Sequence, residues 1–211
     1  MSPLVGVVRV VTSDDTEFLD RHGRLLESEQ GLRTLTRCLP DQPRGVFDDA
    51  TFAAAVPKVR DLAVELAGQV DVVVISCAAD PGLAEARAAV DVPVVGAGSA
   101  AAGLALALGR RVGVLDLTAR TPESITSVLG SRLHLARQPD GVRETRDLLT
   151  EQGRVACLTA ARRMVEDGAD VLLQACTGMT TTGLAAQLRR ELRVPVVDAV
   201  RAAGTVAALA A

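Results

Sequence analysis

Two cysteines placed alike in two copies of one pattern are the residues of this sequence best suited to chemistry. From Asp71 the chain reads DVVVISCAADPGL and from Asp170 it reads DVLLQACTGMTTTGL; in both copies the cysteine, Cys77 or Cys176, falls six residues after the aspartate. Each copy continues through a short helix into a Val-Pro-Val-Val strand, at Val92 to Val95 and again at Val194 to Val197. Each sulfur thus follows an apolar strand and precedes a helix start, where backbone N–H groups and the helix dipole favour a thiolate or a bound anion. The carboxyl ends of strands are also where α/β sheets place their ligands. The neighbours Ser76, Ala78, Ala79, Thr177 and Gly178 are small or carry hydroxyls and leave room for one. Cys38 and Cys157 lie outside the repeat and read as small buried hydrophobes.

The elements that must position these thiols alternate regularly. Leu4 to Thr12 is nearly continuous and β-branched, as expected of a strand covered on both faces of a parallel sheet. A helix follows, capped by Asp14 or Asp15 and ended by Gly31, then a strand over Gly31 to Leu39 and a Pro-rich loop, Pro40 to Asp48, that could border a pocket. A helical pattern over Asp49 to Gln69, bent or divided by Pro57, leads to the strand before Cys77. Asp80-Pro81 reads as a helix cap with a first-turn proline, and Thr121-Pro122 repeats it. Val92 to Val95 is a strand and Ser99 to Leu108 an Ala-rich helix; Arg111 to Thr118 then echoes the opening strand. After it come a strand at Ser131 to Ala136, a turn at Gln138 to Gly141 and a helical region from Val142 to Gly168 weakened at Gly153. The strand before Cys176, a helix over Thr180 to Leu192, the strand Val194 to Val197 and a last helix from Ala199 complete an α/β pattern of eight strands with parallel sheets. Eight such units could close into one barrel or form two four-stranded lobes about a cleft, and spacing alone does not separate the two.

Composition narrows the function classes. With 211 residues, 48% hydrophobic and 23% charged, the chain can bury a sizeable core, and a net charge of −3 with arginines spread along it gives no nucleic-acid footprint. No Trp or Tyr and only three Phe leave no base-stacking platform. The uncharged run Val92 to Gly109 has the length of a membrane span, but its Pro, Ser, Gly and Ala make a buried strand-turn-helix the better reading. No export signal precedes the first strand, and four cysteines without CxxC spacing suit reduced thiols, so a cytoplasmic protein is expected.

The segments SCAADPGL (Ser76 to Leu83), VPVVGAGSA (Val92 to Ala100), QACTGM (Gln174 to Met179) and VPVVDAV (Val194 to Val200) resemble the aspartate/glutamate/hydantoin racemase superfamily, closest to its hydantoin and allantoin racemase branch. The resemblance spans nearly the whole chain. It implies two pseudo-symmetric α/β lobes, residues 1–98 and 99–198, with the helix of residues 199–211 packing back on the first. It also implies cofactor-free proton transfer in the cleft between them, with Cys77 and Cys176 as the acid and base. One cysteine, as thiolate, would take the proton from a carbon between carbonyl and nitrogen, while the other, as thiol, returns one to the opposite face. Such a thiolate needs a lowered pKa, which the helix starts could supply, and backbone amides around Ala78, Ala79, Thr177 and Gly178 are the expected donors to the enolate-like oxygen. The expected partner is a small molecule, an amino acid, hydantoin or related carboxylate, bound by a homo-oligomer.

Around the thiols, Arg9 could hold a carboxylate, and Ala78 stands where the hydantoin branch carries an aromatic. Ser99, Thr118 and Thr12 are expected at strand ends or helix starts facing the cleft, with Arg37 and Gln42 as weaker candidates beside the Pro-rich loop. Rival readings remain. The same cleft could serve a decarboxylase or cis-trans isomerase, and a non-catalytic binding protein would leave both thiols unreactive. Gly96, Gly98 and Asp116 match the spacing of a dinucleotide site in an NAD(P)-binding oxidoreductase, although Val194 to Ala203, the equivalent segment, lacks the glycines. The only lysine, Lys58, has no phosphate loop beside it, so pyridoxal phosphate is not expected. His22 and His134 lack metal-ligand spacing and read as surface or satisfied residues. No G-x-S-x-G elbow is present for a serine hydrolase.

Overall fold

The computed structural model describes residues 2–145 and 147–211. Eight strands form two four-stranded parallel sheets. The first contains β1 (Leu4–Arg9), β2 (Arg33–Cys38), β3 (Val72–Ser76) and β4 (Val94–Gly96) in the order β2-β1-β3-β4. The second contains β5 (Val112–Leu115), β6 (Leu133–Arg137), β7 (Val171–Gln174) and β8 (Val196–Asp198) in the matching order β6-β5-β7-β8. In each sheet the strand order reverses between the first and third strands, which is where an α/β sheet opens a crevice at its carboxyl edge. Arg9 pairs with Ser76 across that point in one sheet, and Leu115 with Gln174 in the other.

The helices are α1 (Thr16–Gln30), α2 (Asp49–Ala67), α3 (Leu83–Ala89), α4 (Ala97–Leu108), α5 (Glu123–Leu129), α6 (Glu151–Glu166), α7 (Leu184–Leu192) and α8 (Ala199–Ala210). Strand alternation divides the core. One face of each sheet, carrying Val5, Val7, Val72 and Val74 in the first and Val112, Val114, Val171 and Leu173 in the second, points into one shared layer. Ala101, Ala102 and Ala105 of α4 and Ala202, Ala203 and Ala207 of α8 fill it, since alanine-rich helices bring their axes close. The outer faces are closed by α2 over Val8, Val73 and Ile75 and by α6 and α7 over Leu115 and Leu172. The final helix lies against α1 and β3: Arg201 pairs with Glu29 at 2.7 Å, and Gly204 lets α8 approach until a Cβ there would come within 2.5 Å of Leu26.

Several elements differ from the sequence expectation. Pro57 lies inside α2 and does not divide it. Asp80 does not cap its own helix: it sits at φ 50 in the turn after Cys77, and α3 begins only after Gly82. Thr121 likewise gives α5 no side-chain cap. The helix expected over residues 142–168, a span that includes residue 146 outside the described residues, starts only at Glu151. There Thr150 caps it by accepting from Gly153 N. A 3₁₀ turn over Thr177–Thr182 replaces the first turn expected of α7.

Candidate active site

The turns after β3 and β7 bring Cys77 and Cys176 to the wall of one cleft of about 1530 Å³ between the two sheets. Cys77 is half-buried and Cys176 buried, and the turns touch directly, with Thr177 Oγ1 donating to the Ser76 carbonyl at 3.4 Å. The Ala79 and Asp80 amides act to lower the Cys77 thiol pKa, and the Gly178 and Met179 amides with the Thr145 hydroxyl act likewise on Cys176. These donors favour thiolates, as the sequence suggests, yet burial outweighs them. Desolvation pushes the Cys77 thiol up to about 12, and it raises Cys176 as well. The nearby carboxyls add to the effect, Asp80 on Cys77 and Asp116 on Cys176. The expectation of lowered thiol pKa values is therefore corrected for the open cleft.

Asp80 has a different role from the one its Asp-Pro context suggests. Its carboxylate accepts from Gly98 N at 2.7 Å and Ser99 N at 2.8 Å, so it caps α4 from across the first sheet and fixes the far side of the Cys77 turn. Burial lifts it to about 6 despite these bonds. A dinucleotide's phosphate would need the same amides, and Gly98 lacks a Cβ because the Ala78 carbonyl carbon lies 2.8 Å from where one would stand. The glycine pattern thus serves packing of α4 against the cysteine turn. Asp116, its supposed ribose partner, directly follows a strand of the other sheet.

The remaining sequence candidates divide. Arg9, Thr12, Ser76, Ala78, Ala79, Thr118, Thr177 and Gly178 line the cleft, whereas Ser99 does not; its hydroxyl bonds the Gly96 carbonyl. Thr12 is committed to loop structure, donating to the Leu39 carbonyl at 2.6 Å and accepting from Gln42 N, while the buried Gln42 side chain holds Gly45 O and Thr51 O. Arg37 is exposed on the edge strand away from the cleft. Arg9 is 4% exposed, its Nη1 donating to the carbonyls of Phe18 and Leu19 at 3.1 and 2.7 Å, with the Phe18 ring 5.0 Å away. No ion pair among the described residues includes it, and burial brings its pKa down to about 10, which leaves it a cation at neutral pH.

Other features escaped the sequence reading. All three phenylalanines of the chain, Phe18, Phe47 and Phe52, line the cleft. The Pro-rich loop carrying Phe47 was the only signal pointing to them. Arg44 of that loop stacks on Phe47 at 4.3 Å and reaches Glu144 at 3.4 Å, joining the two rims of the cleft. His22, read as surface or satisfied, is fully buried. Its Nδ1 lies 2.7 Å from Ser76 Oγ, and Nε2 has no hydrogen-bond partner among the described residues. Burial and the Arg9 charge hold it neutral, well below the usual imidazole range.

Known proteins resemble this chain in sequence and fold. A profile of the Asp/Glu/hydantoin racemase family matches residues 16–207. The chain belongs to that family. It is 32% identical over 178 residues to a hydantoin racemase of Rhizobium meliloti, covering 77% of this chain and 70% of that protein. It is also 32% identical over 144 residues to one of Pseudomonas sp. (strain NS671), covering 62% and 54%. Among solved structures, allantoin racemase from Klebsiella pneumoniae superposes with a TM-score of 0.78 at 30% identity over 97% of this chain and 86% of that one. Allantoin racemase from Pseudomonas fluorescens gives 0.81 at 27%, over 97% and 88%. These likenesses place the chain on the hydantoin/allantoin branch. Arylmalonate decarboxylase, at 19% identity and a TM-score of 0.65, shares the fold.

Proposed function

We propose that the chain is a cofactor-independent racemase or epimerase acting on a small hydantoin-like or amino-acid-like compound, with Cys77 and Cys176 as the paired acid and base. The observation that carries this reading is the presence of both sulfurs, from equivalent strand ends, on one cleft. One thiolate removes the proton from the stereocentre and the opposite thiol delivers another. The amides of Ala79, Asp80, Gly178 and Met179 stabilise whichever cysteine is ionised. Because desolvation opposes that ionisation, a bound substrate must supply the compensating interactions. Arg9 is the side chain we assign to an anionic group of the substrate, with the hydroxyl oxygens of Thr118 and Thr177, which donate to the Arg120 and Ser76 carbonyls, as acceptors, while Phe18, Phe47 and Phe52 give an apolar surface for a side group. The likeness to hydantoin and allantoin racemases supports the substrate class.

A panel of hydantoins and free amino acids, followed by polarimetry and by deuterium uptake from solvent at the stereocentre, tests the proposal. Cys77→Ala and Cys176→Ala should each abolish racemisation, since each removes the proton donor or acceptor of one face. A double variant with full activity ends the mechanism.

A further inference from the structure

One buried acid has no part in the mechanism so far. Asp116, 3% exposed, directly follows β5 beside the switch point of the second sheet. The Leu115 carbonyl accepts from Ala175 N at 2.9 Å, so Asp116 stands next to the residue that precedes Cys176. Thr121 Oγ1 donates to its Oδ2 at 2.5 Å, while Oδ1 is buried with no partner among the described residues. The repeat makes the position unusual. Aligning Val5-Gly6-Val7 with Val112-Gly113-Val114 puts Arg9 opposite Asp116, so equivalent places beside the two cysteine strands carry a buried cation and a buried acid.

We propose that Asp116 is a positioning residue for the second-lobe thiol: once ionised, its carboxylate holds Cys176 as the thiol, so that Asp116 and Cys176 titrate as a pair sharing one readily lost proton. This rests on the reading of Cys176 as an acid or base. Burial, only partly offset by the Thr121 bond, lifts the Asp116 carboxyl to about 7. Burial is the main cause that raises Cys176, and the Asp116 charge adds to it. Other charged groups around the pair are engaged elsewhere. Arg137 of β6, whose carbonyl accepts from Asp116 N, turns its guanidinium to Asp167, and Asp147 is held by the amides of Arg143 and Glu144. Arg120 in the loop before α5 is exposed. Across the cleft stands Cys77, itself pushed up to about 12, and from α6 Cys157, also about 12. Below about pH 7 the acid is neutral and a Cys176 thiolate is the only charge of the pair. Above it, a thiolate must form beside a carboxylate in a poorly solvated site.

Such coupling has a signature in reactivity. The labelling rate of Cys176 by iodoacetamide, followed by peptide mass on the full chain, should rise with pH, flatten into a shoulder that begins near the Asp116 pKa of about 7, and then rise again. The width of the shoulder in pH units measures the coupling between the two groups. Asp116→Asn should remove the shoulder and lower the Cys176 midpoint by about the same amount, Asp116→Glu should restore both, and the Cys77 profile should not move. An unbroken unit slope through the shoulder region in the unaltered protein overturns the proposal, as does an unmoved midpoint in a folded Asp116→Asn protein. The unaltered protein decides the matter if the variant does not fold. No substrate is required, so a shoulder in a protein whose Cys176→Ala variant still racemises would keep the coupling and reject the catalytic reading.

Discussion

The raised pKa of Cys77 can be tested through its chemical reactivity. An unperturbed cysteine titrates at 9.0 and Cys77 stands at about 12, so at any pH well below both, the thiolate population of Cys77 is lower by about three decades. A more basic thiolate is also a better nucleophile, by roughly 0.4 to 0.5 decades per unit of pKa, which returns about 1.2 to 1.5 decades. The net expectation is a rate of thiol-disulfide exchange about 30- to 60-fold below that of free cysteine, before any steric term. Dithiodipyridine exchange with the full chain between neutral pH and pH 11, acid-quenched and read by peptide mass, gives the Cys77 rate apart from the other three cysteines. Steric hindrance slows exchange equally at every pH, so the profile is the decisive readout. It should climb with unit slope to beyond pH 10. A plateau near neutrality would mean that the Ala79 and Asp80 amides win over desolvation and would refute the reasoning.

Other outcomes follow from the same contacts. Gly98→Ala places a Cβ against the Ala78 carbonyl and 2.9 Å from Ser124 Oγ, and backbone cannot yield as a side-chain tip can. It should cost about 1–3 kcal/mol and lower Tm by roughly 2–4 °C per kcal/mol in a calorimetric scan, with loss of activity through the displaced Cys77 turn. His22 is neutral in the fold, its pKa below the unfolded value of 6.5, so its contribution is present above pH 6.5 and lost as pH falls below it. His22→Gln should therefore flatten the pH dependence of denaturant stability on the acid side of 6.5, and an unchanged slope would contradict the burial assigned to it. Arg44→Gln removes an exposed pair between the cleft rims, so its stability change should stay within about 1 kcal/mol. Any large effect should instead fall on KM, measured once a substrate is found.

Local chemistry made much of the fold legible. Asp15 caps α1 by accepting from Phe18 N, and Gly31 ends it in the left-handed conformation, because these preferences are settled within a few residues. Apolar strand runs and cysteines at equivalent offsets likewise identify the repeat and the thiols. Asp80 was misread, and the burial of His22 against Ser76 was not foreseen, because their partners are remote in sequence: the Gly98 and Ser99 amides lie 18 and 19 residues away, and Ser76 lies 54 away. A capping residue is recognised by its neighbours, and only packing decides which helix it caps.

The sequence by itself determined the alternation of elements, the paired cysteines and the family to which the chain belongs. Tertiary structure alone decided the shared Ala-rich layer, the gathering of three distant phenylalanines on one cleft, and the protonation of the thiols. The reason is the range of the forces. Propensity and capping act along the chain, whereas desolvation depends on every atom that excludes water around a group, and those atoms come from both lobes.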